Sequence, residues 1–375
     1  MERSNFKKLY YLLGNVSQIS ATGGDGINEL NLIKFLNKYF DVYYNNQRVD
    51  FTQENLGQNK TDIEAPGKDY DAYYVRNNPT IFKQIPEGKL KIYFASPYDE
   101  ESFARSDLIA CPTESWKTML EKPNENWGIL YPDDYYTNKA IVFSQKLDPN
   151  SIYQKDIEEN AFTRYGIDPD SFKICHFGSI RNSGFQSYFL RIYDALSEKV
   201  KKQISVIFVG TTSASLNILD DIDNFYFIQN IDFTKVNDFI NSSDLLLYNQ
   251  RDFQSEYAGS NKVVEAIVCE KPILACRSNA REQELGKDYP LFYNLRYKPP
   301  DDPKNTFQDS WIDDSEVIRC AQLIKMMVTG SSFYDEVIDY MKRIDKARFY
   351  NTFNKDGYID EVIRRIPWET LGASK

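Results

Sequence analysis

The stretch that decides the fold is Ser243–Asn279, which reads SDLLLYNQRDFQSEYAGSNKVVEAIVCEKPILACRSN. It contains two short apolar runs, Leu245–Tyr248 and Ile273–Cys276, that are typical of buried strands. Between them, residues 251–259 are polar and predict a loop, and Asn261–Glu270 carries apolar side chains at helical spacing. Strand, loop, helix and strand together predict one parallel crossover unit.

The end of this helix and the start of it are both marked in the sequence. Pro272 restricts the residue before it, so Lys271-Pro272 is predicted to end the helix. Lys262 and Glu265 lie at its start, just after the loop that follows the strand. Open α/β sheets bind ligands at this position, so the two charged residues are candidates for a binding site.

Composition indicates a folded protein of more than one domain. The chain has 375 residues, more than one hydrophobic core usually serves, and 42% of them are apolar. It is rich in aromatic residues, with 27 tyrosines and 24 phenylalanines, which favours a packed enzyme-like body over disorder. The net charge is −10, with no long basic block, so we expect no nucleic-acid partner.

Metal and membrane functions have little support in the sequence. The five cysteines are widely spaced and odd in number, and we expect most of them to be reduced core residues. The single histidine, His176, lies in a predicted strand, where a core role is favoured over a catalytic one. Asp221-Ile222-Asp223 is interpreted as a solvated turn, so no metal site is expected. Without an apolar run near 18 residues or a leader-like N-terminus, we expect a soluble, cytoplasmic protein.

The N-terminal part reads as a doubly wound α/β domain. Lys8–Gly14 predicts a strand, residues 15–26 form a glycine-rich loop, and a helix is expected to follow with Asp25 as its N-cap. Such a loop can hold a phosphate, although a flexible turn is an equal alternative. Further strands are predicted at Asp41–Tyr44, Ala72–Val75, Lys91–Ala95, Leu108–Ala110 and Asn138–Ser144, with a helix at Trp116–Leu120.

A second domain of the same kind follows a predicted linker, Gln154–Asp170. Phe172–Gly178 predicts its first strand, and Arg181 comes shortly afterwards. An arginine here can grip a diphosphate with its planar fork of donors; a surface ion pair is the alternative. Other predicted elements are strands at Ile204–Gly210 and Phe225–Gln229 and helices around Phe189–Leu196 and at Val236–Ile240, Glu316–Met327, Phe333–Tyr350 and Tyr358–Ile366.

Residues 265–273, EAIVCEKPI, carry a family resemblance. They resemble the nucleotide-sugar motif of GT-B glycosyltransferases, above all the retaining family 4 enzymes, whose pattern is Glu, seven residues, then Glu-Ala-Met-Ala-x-Gly-x-Pro-Val. Glu270 replaces the family glycine in this chain. Eight residues separate Glu256 from Glu265, so the strict spacing of the first glutamate falls on Tyr257.

The resemblance implies a fold and a reaction. The fold would be α/β GT-B: two Rossmann-like doubly wound domains facing across a cleft, with a C-terminal helix crossing back to the first domain. The implied boundaries are 1–152 for the acceptor domain, 153–345 for the donor domain and 346–375 for the returning helices. The reaction would move a hexose from a nucleoside-diphosphate sugar to a glycan or glycoprotein with retention and without metal. GDP-mannose is slightly favoured over UDP-glucose.

The resemblance also assigns roles to residues. Arg181 and Lys262 would stabilise the leaving diphosphate, Lys262 replacing a family lysine that residues 183–191 lack. Glu265 would accept the ribose hydroxyls, and Glu256 would contact the sugar. The predicted catalytic residues are Arg181, Lys262 and Glu256, and the donor-binding set is Gly23, Gly24, Gly178, Ser179, Arg181, Gly210, Ile231, Tyr257, Ala258, Gly259, Ser260, Lys262, Val263 and Glu265.

Two other functions stay open at this point. The displaced glutamate and the missing lysine allow a sugar-nucleotide-binding protein without turnover. Doubly wound sheets also bind dinucleotides, which allows a nicotinamide oxidoreductase, although G-x-G-x-x-G follows neither first strand. The oligomeric state is open, with a homodimer as one option.

Overall fold

Two units, each built around a parallel sheet, make up the part of the chain that the structure describes. In this computed structural model the described residues are 7–13, 18–20, 24–45, 47–50, 55–58, 70–76, 78–94, 100–121, 138–143, 146–178, 185–210, 222–229, 231–248, 259–297, 310–330, 332–350 and 358–365. Described residues up to Asp148 and from Ala347 onward form the first unit, and those from Pro149 to Lys346 form the second.

The first unit contains a sheet of seven described strands. Its strands and helices are β1 (Lys8–Leu13), β2 (Gln18–Ser20), α1 (Gly24–Leu36), β3 (Asp41–Tyr44), β4 (Gln47–Arg48), β5 (Asn55–Gln58), β6 (Ala72–Arg76), α2 (Pro79–Phe82), β7 (Leu90–Phe94), α3 (Glu100–Arg105), β8 (Leu108–Cys111), α4 (Glu114–Glu121) and β9 (Ala140–Val142). The sheet order is β4-β3-β1-β6-β7-β8-β9, parallel except at β4, and β2 pairs with β5 apart from it. The order reverses between β1 and β6, which defines the topological switch point of this sheet.

The second unit contains six parallel described strands in the order β12-β11-β10-β13-β14-β15. Its elements are β10 (Phe172–Phe177), α5 (Phe185–Asp194), α6 (Glu198–Lys201), β11 (Ile204–Val209), β12 (Phe225–Ile228), α7 (Val236–Asn241), β13 (Leu245–Leu247), α8 (Asn261–Val268), β14 (Ile273–Cys276), α9 (Asn279–Leu285), β15 (Phe292–Tyr293), β16 (Arg296–Tyr297), β17 (Ser310–Trp311), α10 (Asp314–Val328) and α11 (Ser332–Arg343). This is the strand order of a Rossmann fold, with its switch point between β10 and β13.

The C-terminal segment returns to the first unit, as the sequence analysis predicted. Helix α12 (Tyr358–Arg365) buries Ile359 and Val362 in the core that β1, β6 and α1 form. Leu147 and Tyr350 form an isolated parallel bridge beside it. In the described part of the chain, no helix has the length and apolarity needed to cross a membrane.

Four sequence predictions about element ends need correction. Asp25 is not an N-cap, because α1 already begins at Gly24. The predicted strand 138–144 is shorter, since only Ala140–Val142 pair with β8. The predicted helix 333–350 is two elements, because α11 ends at Arg343 and a 3-10 turn, Ala347–Phe349, follows where the chain re-enters the first unit. Helix α8 also ends earlier than predicted, at Val268.

Helix α8 ends at Val268, so Lys271-Pro272 lies beyond the helix and is not what ends it. Glu270 takes the left-handed conformation, with φ +57°. The N–H of Glu270 donates to the carbonyl of Ile267 (3.1 Å), and that of Lys271 donates to the carbonyl of Ala266 (2.9 Å). These two hydrogen bonds define a Schellman motif, which favours glycine at the left-handed position. The glutamate therefore adopts the conformation that the family glycine would adopt more readily.

The predicted linker 154–170 packs against α7. The backbone N–H groups of Tyr153 and Lys155 donate to the side chains of Asn237 (3.1 Å) and Asn241 (3.2 Å). The N–H of Ala161 donates to the hydroxyl of Ser242 (3.0 Å). These bonds join the segment to the second unit.

Candidate functional site

Two glycines meet at the carboxyl edge of the second sheet. Gly178 directly follows β10 and Gly210 directly follows β11, with φ of +105° and +147°. A Cβ added at Gly210 would lie 2.1 Å from the carbonyl oxygen of Gly178. Residues with a side chain do not fit this contact, so both the conformation and the close approach require glycine. Gly178 and Gly210 therefore present backbone without side chains beside the β10–β13 switch point.

Lys262 extends over this glycine backbone from the first turn of α8. A Cβ built on Gly178 would lie 3.0 Å from Cε and 3.2 Å from Nζ of Lys262. The ammonium group therefore sits at the carboxyl end of β10, where parallel sheets bind ligands. An ammonium here can donate charge-assisted hydrogen bonds to an anion such as a phosphate.

Glu265 lies three residues after Lys262 in α8 and is half-buried. Residues at this spacing are neighbours on one helix face. Burial raises the pKa of the Glu265 carboxyl, and the positive charge of Lys262 counteracts this rise. The two side chains thus place a cation and a carboxylate next to each other at the sheet edge, a pair suited to a ligand with both an anionic group and hydroxyl groups.

His176 is buried beneath this site rather than exposed in it. Its Nδ1 lies 3.3 Å from the carbonyl oxygen of Leu247, and its ring packs against Phe208. Burial, reinforced by the nearby charge of Lys262, lowers the pKa of His176 to about 3. The imidazole is therefore neutral at physiological pH, so Nδ1 carries the proton and donates to Leu247. This geometry agrees with the predicted core role.

A buried polar network beside the site was not found from the sequence. The Tyr248 side chain, after β13, lies beside Ser260, the N-cap of α8. The N–H of Ser260 donates to Oε1 of Glu284 (3.0 Å), whose Oε2 lies 2.5 Å from the Arg281 guanidinium. Arg281 in turn lies over the Tyr248 ring, 4.8 Å from its centroid. The only sequence signal was the i,i+3 spacing of an arginine and a glutamate, which is common on exposed helices.

Of the other predicted site residues, some lie in the part of the chain that the structure describes and some lie outside it. Ile231 is half-buried after β12, Gly259 precedes Ser260, and Val263 is fully buried, so its side chain belongs to the core. Gly24 begins α1 in the first unit. The predicted residues Gly23, Ser179, Arg181, Glu256, Tyr257 and Ala258, together with Asp221, lie outside the described residues.

Acidic, thiol and imidazole side chains are the groups that could hold a metal ion. Within the described ranges, no three of these side chains lie where they could share an ion. The free cysteines Cys111, Cys175, Cys269, Cys276 and Cys320 are all buried. Burial raises the pKa of the Cys320 thiol to about 12, which keeps it protonated.

Comparison with solved structures identifies the architecture. Anabaena HepE in complex with UDP-glucose is 13% identical, aligns over 98% of this chain and 100% of its own, and has a TM-score of 0.62. Sucrose-phosphate synthase from Thermosynechococcus elongatus is 9% identical over 98% and 100%, with a TM-score of 0.60. WaaG, a glycosyltransferase involved in lipopolysaccharide biosynthesis, is 10% identical over 96% and 99%, with a TM-score of 0.55.

The chain has the GT-B fold. This confirms the predicted pair of Rossmann-like doubly wound domains with a C-terminal helix on the first. No family model matches the chain, and no curated protein matches it by sequence. The second Rossmann-like unit of this chain contains the four candidate residues Gly178, Gly210, Lys262 and Glu265.

Proposed function

We propose that this GT-B protein is a glycosyltransferase that takes a nucleoside-diphosphate sugar as donor. The observation that carries the proposal is the position of the Lys262 ammonium over Gly178 at the switch point of the second sheet, with Glu265 one turn further along α8. Lys262 supplies a cation for the diphosphate, and Glu265 supplies acceptors for the ribose hydroxyls. The similar fold of HepE, which was solved with UDP-glucose, supports the same class of donor.

The proposed chemistry is transfer with retention, as in the family 4 enzymes that the sequence resembles. The bond between the sugar C1 and the diphosphate oxygen breaks, and a bond forms from C1 to an acceptor hydroxyl on the same face. The acceptor proton passes to the leaving diphosphate. Lys262, together with Arg181, stabilises the charge that develops on that diphosphate, and such stabilisation is usually the largest catalytic contribution.

Several finer points belong to this hypothesis. The donor is a hexose donor, with GDP-mannose favoured from the sequence and UDP-glucose as the competitor. The acceptor is a glycan or glycoprotein, the protein acts without metal in the cytoplasm, and a homodimer is one option. Glu256 or Tyr257 contacts the sugar, and Tyr257, Ala258 and Gly259 offer N–H groups to the β-phosphate. Ser260, predicted to do the same, instead donates its N–H to Glu284.

Calorimetric titration tests the donor class. UDP-glucose, GDP-mannose, UDP, GDP and NAD are titrated into the protein in the presence of excess EDTA, and slow donor hydrolysis is followed afterwards. We expect a nucleoside-diphosphate sugar to bind and to be hydrolysed, with NAD inactive. Binding without hydrolysis or transfer would favour the non-catalytic binder, and a preference for NAD would contradict the proposal.

Glu265→Gln tests the ribose contact. The amide keeps one acceptor and turns the other into a donor, so ribonucleotide binding should weaken by about 1–3 kcal/mol. A 2′-deoxy donor should lose much less from the substitution, because both changes remove the same contact. Additive penalties would show that Glu265 does not hold the ribose.

The same variant has an opposite effect on stability. Burial raises the pKa of Glu265, so ionising this carboxyl costs more in the folded protein than in the unfolded chain. Its unfavourable contribution is absent below the unfolded pKa of about 4.3 and develops as pH rises through the folded value. Glu265→Gln should therefore raise the free energy of unfolding at pH 7 but not at pH 4, as urea denaturation at both pH values would measure. Equal effects at both pH values would contradict this assignment.

A further inference from the structure

Tyr248 directly follows β13, and Ser260 directly precedes α8. The Tyr248 side chain lies beside Ser260, and the carbonyl oxygen of Tyr248 accepts from the Tyr293 hydroxyl at 3.2 Å. The end of β13 and the start of α8 thus lie side by side. Because Ser260 is the N-cap of α8, whatever holds Ser260 also sets where α8 begins.

Glu284 holds the backbone of Ser260, and Arg281 holds Glu284. The Ser260 N–H donates to Oε1 of Glu284 at 3.0 Å, and the Arg281 guanidinium lies 2.5 Å from Oε2. The side chains of Arg281 and Glu284 are 0% and 8% exposed. Burying such a pair costs desolvation energy, and apolar side chains of similar size are often as stable or more so. Stability alone is therefore a weak reason for this pair to be here.

The position of the pair suggests what it does. Ser260 precedes Lys262 by two residues, so a displacement of the helix start moves the ammonium that lies over Gly178. Arg281 also stacks on the Tyr248 ring, so the pair contacts both the residue after β13 and the residue before α8. Groups that bind a ligand need such support, because a small misplacement costs much of the interaction.

We propose that the buried Arg281–Glu284 pair is a positioning device for the diphosphate-binding end of α8. It acts through Ser260 and Tyr248 and touches no substrate itself. The ligand class is a nucleoside diphosphate, so the inference rests on the proposed function. Because the pair acts at the start of α8, it affects the contact with the β-phosphate more than contacts made elsewhere by the nucleoside.

The test replaces the pair by apolar residues of similar size, Arg281→Met with Glu284→Leu. This variant removes the acceptor of the Ser260 N–H but leaves no buried charge behind, so we expect it to fold. Affinities for UDP and UMP, or for GDP and GMP if guanine binds better, are measured by calorimetry beside a thermal melt. We expect the diphosphate affinity to fall about ten-fold and the monophosphate affinity to change much less, in line with the loss of one charge-assisted contact.

A second ion pair, between Arg277 just before α9 and Glu282 within it, provides the matched control. Arg277 and Glu282 lie 2.5 Å apart, but their side chains are 40% and 22% exposed. Arg277→Met with Glu282→Leu makes the same chemical change without touching Ser260, so both affinities should stay as in the wild type. Arg281→Met with Glu284→Gln also leaves no buried charge but keeps an acceptor for the Ser260 N–H, so it should retain most of the diphosphate affinity that the first double variant loses.

The outcomes separate the two hypotheses. If the wild type binds a nucleotide and the folded double variant keeps the wild-type ratio of diphosphate to monophosphate affinity, the positioning role is wrong and the proposed function stands. If the wild type binds no nucleotide, the proposed function fails first. If the double variant does not fold, Tyr248→Phe, which removes only the hydroxyl of the ring that lies beside Ser260 and under Arg281, decides: a selective loss of diphosphate affinity supports the role, and an unchanged ratio overturns it.

Discussion

The two sheets of this protein carry charged residues at their switch points in different ways. In the first unit, Arg76 ends β6 opposite Leu13 of β1, and its guanidinium pairs with Glu29 of α1, which is fully buried. Tyr11 donates a hydrogen bond to the same carboxylate. In the second unit, the half-buried Lys262 lies over the backbone of Gly178.

The difference between the two switch points lies in how each charge is used. Burial, then the neighbouring Glu29 charge, raises the pKa of Tyr11 well above its ordinary value, so the phenol stays a donor. The arginine, the phenol and the carboxylate satisfy one another, and Arg76 also lies 4.4 Å from the centroid of the Phe94 ring. We infer that the first switch point uses its charges to hold the fold, whereas the second uses them to bind an anion.

The largest expected effect comes from breaking the closed network. Arg76→Met leaves the buried Glu29 carboxylate without its cation, which should lower the free energy of unfolding by about 3–5 kcal/mol. Urea denaturation measures the loss. The control is Arg48→Met, because Arg48 pairs with Asp41 on the same unit but is 48% exposed, and this change should cost less than about 1 kcal/mol. Equal losses of unfolding free energy in the two variants would show that the buried Glu29 network stabilises the fold no more than an exposed ion pair does.

The next effect concerns binding at the second switch point. Gly178→Ala introduces a Cβ within 3.0 Å of Lys262 and at φ +105°, so the ammonium must move. Nucleoside-diphosphate affinity should fall by roughly ten-fold or more. Gly166→Ala is matched for backbone strain, at φ +74°, but among the described residues no atom lies within 4 Å of the added Cβ. This control should lose stability without losing affinity, and a similar loss of affinity in both variants would count against the role of Gly178.

A smaller effect is expected at the C-terminal end of α8. There the ion pair of Glu270 and the strain of its left-handed backbone have opposite effects on the free energy of unfolding. Glu270 pairs with Lys346, and both side chains are partly exposed, so the pair contributes at most about 1 kcal/mol. Its left-handed backbone costs about 1–2 kcal/mol in any residue other than glycine. Glu270→Gly should therefore be more stable than Glu270→Ala by about 1 kcal/mol, since both lack the ion pair and only alanine keeps the strain. Equal melting temperatures would refute this explanation.

Periodicity predicted the strands and helices well because the sheets are buried on both faces. Runs such as Ile204–Val209 and Leu245–Leu247 are entirely buried, so their sequences are continuously apolar. The ends of elements were less predictable. Asp25 has the residue type of an N-cap, but α1 begins one residue earlier at Gly24. Pro272 is a strong helix breaker, but the Schellman motif at Glu270 had already ended α8.

Sequence could place a candidate residue only where the order of strands and helices alone determines its position at the sheet edge. Lys262 and Glu265 begin the helix after β13, and parallel strands bring that place to the end of β10, so sequence order located them. The Arg281–Glu284 pair was not predictable, because its partner is the N–H of Ser260 at a separation of 24 residues. No local pattern encodes that contact.

The most direct test of the account is the affinity of wild type and Lys262→Met for UDP and GDP, measured by calorimetry with excess EDTA. Lys199→Met, an exposed helical lysine of the same unit, is the control. We expect that the wild type binds at least one of the two nucleotides, that Lys262→Met binds it about ten- to a hundred-fold more weakly, and that Lys199→Met is unchanged. Equal affinities of wild type and Lys262→Met would contradict the claim that the lysine over Gly178 holds the diphosphate.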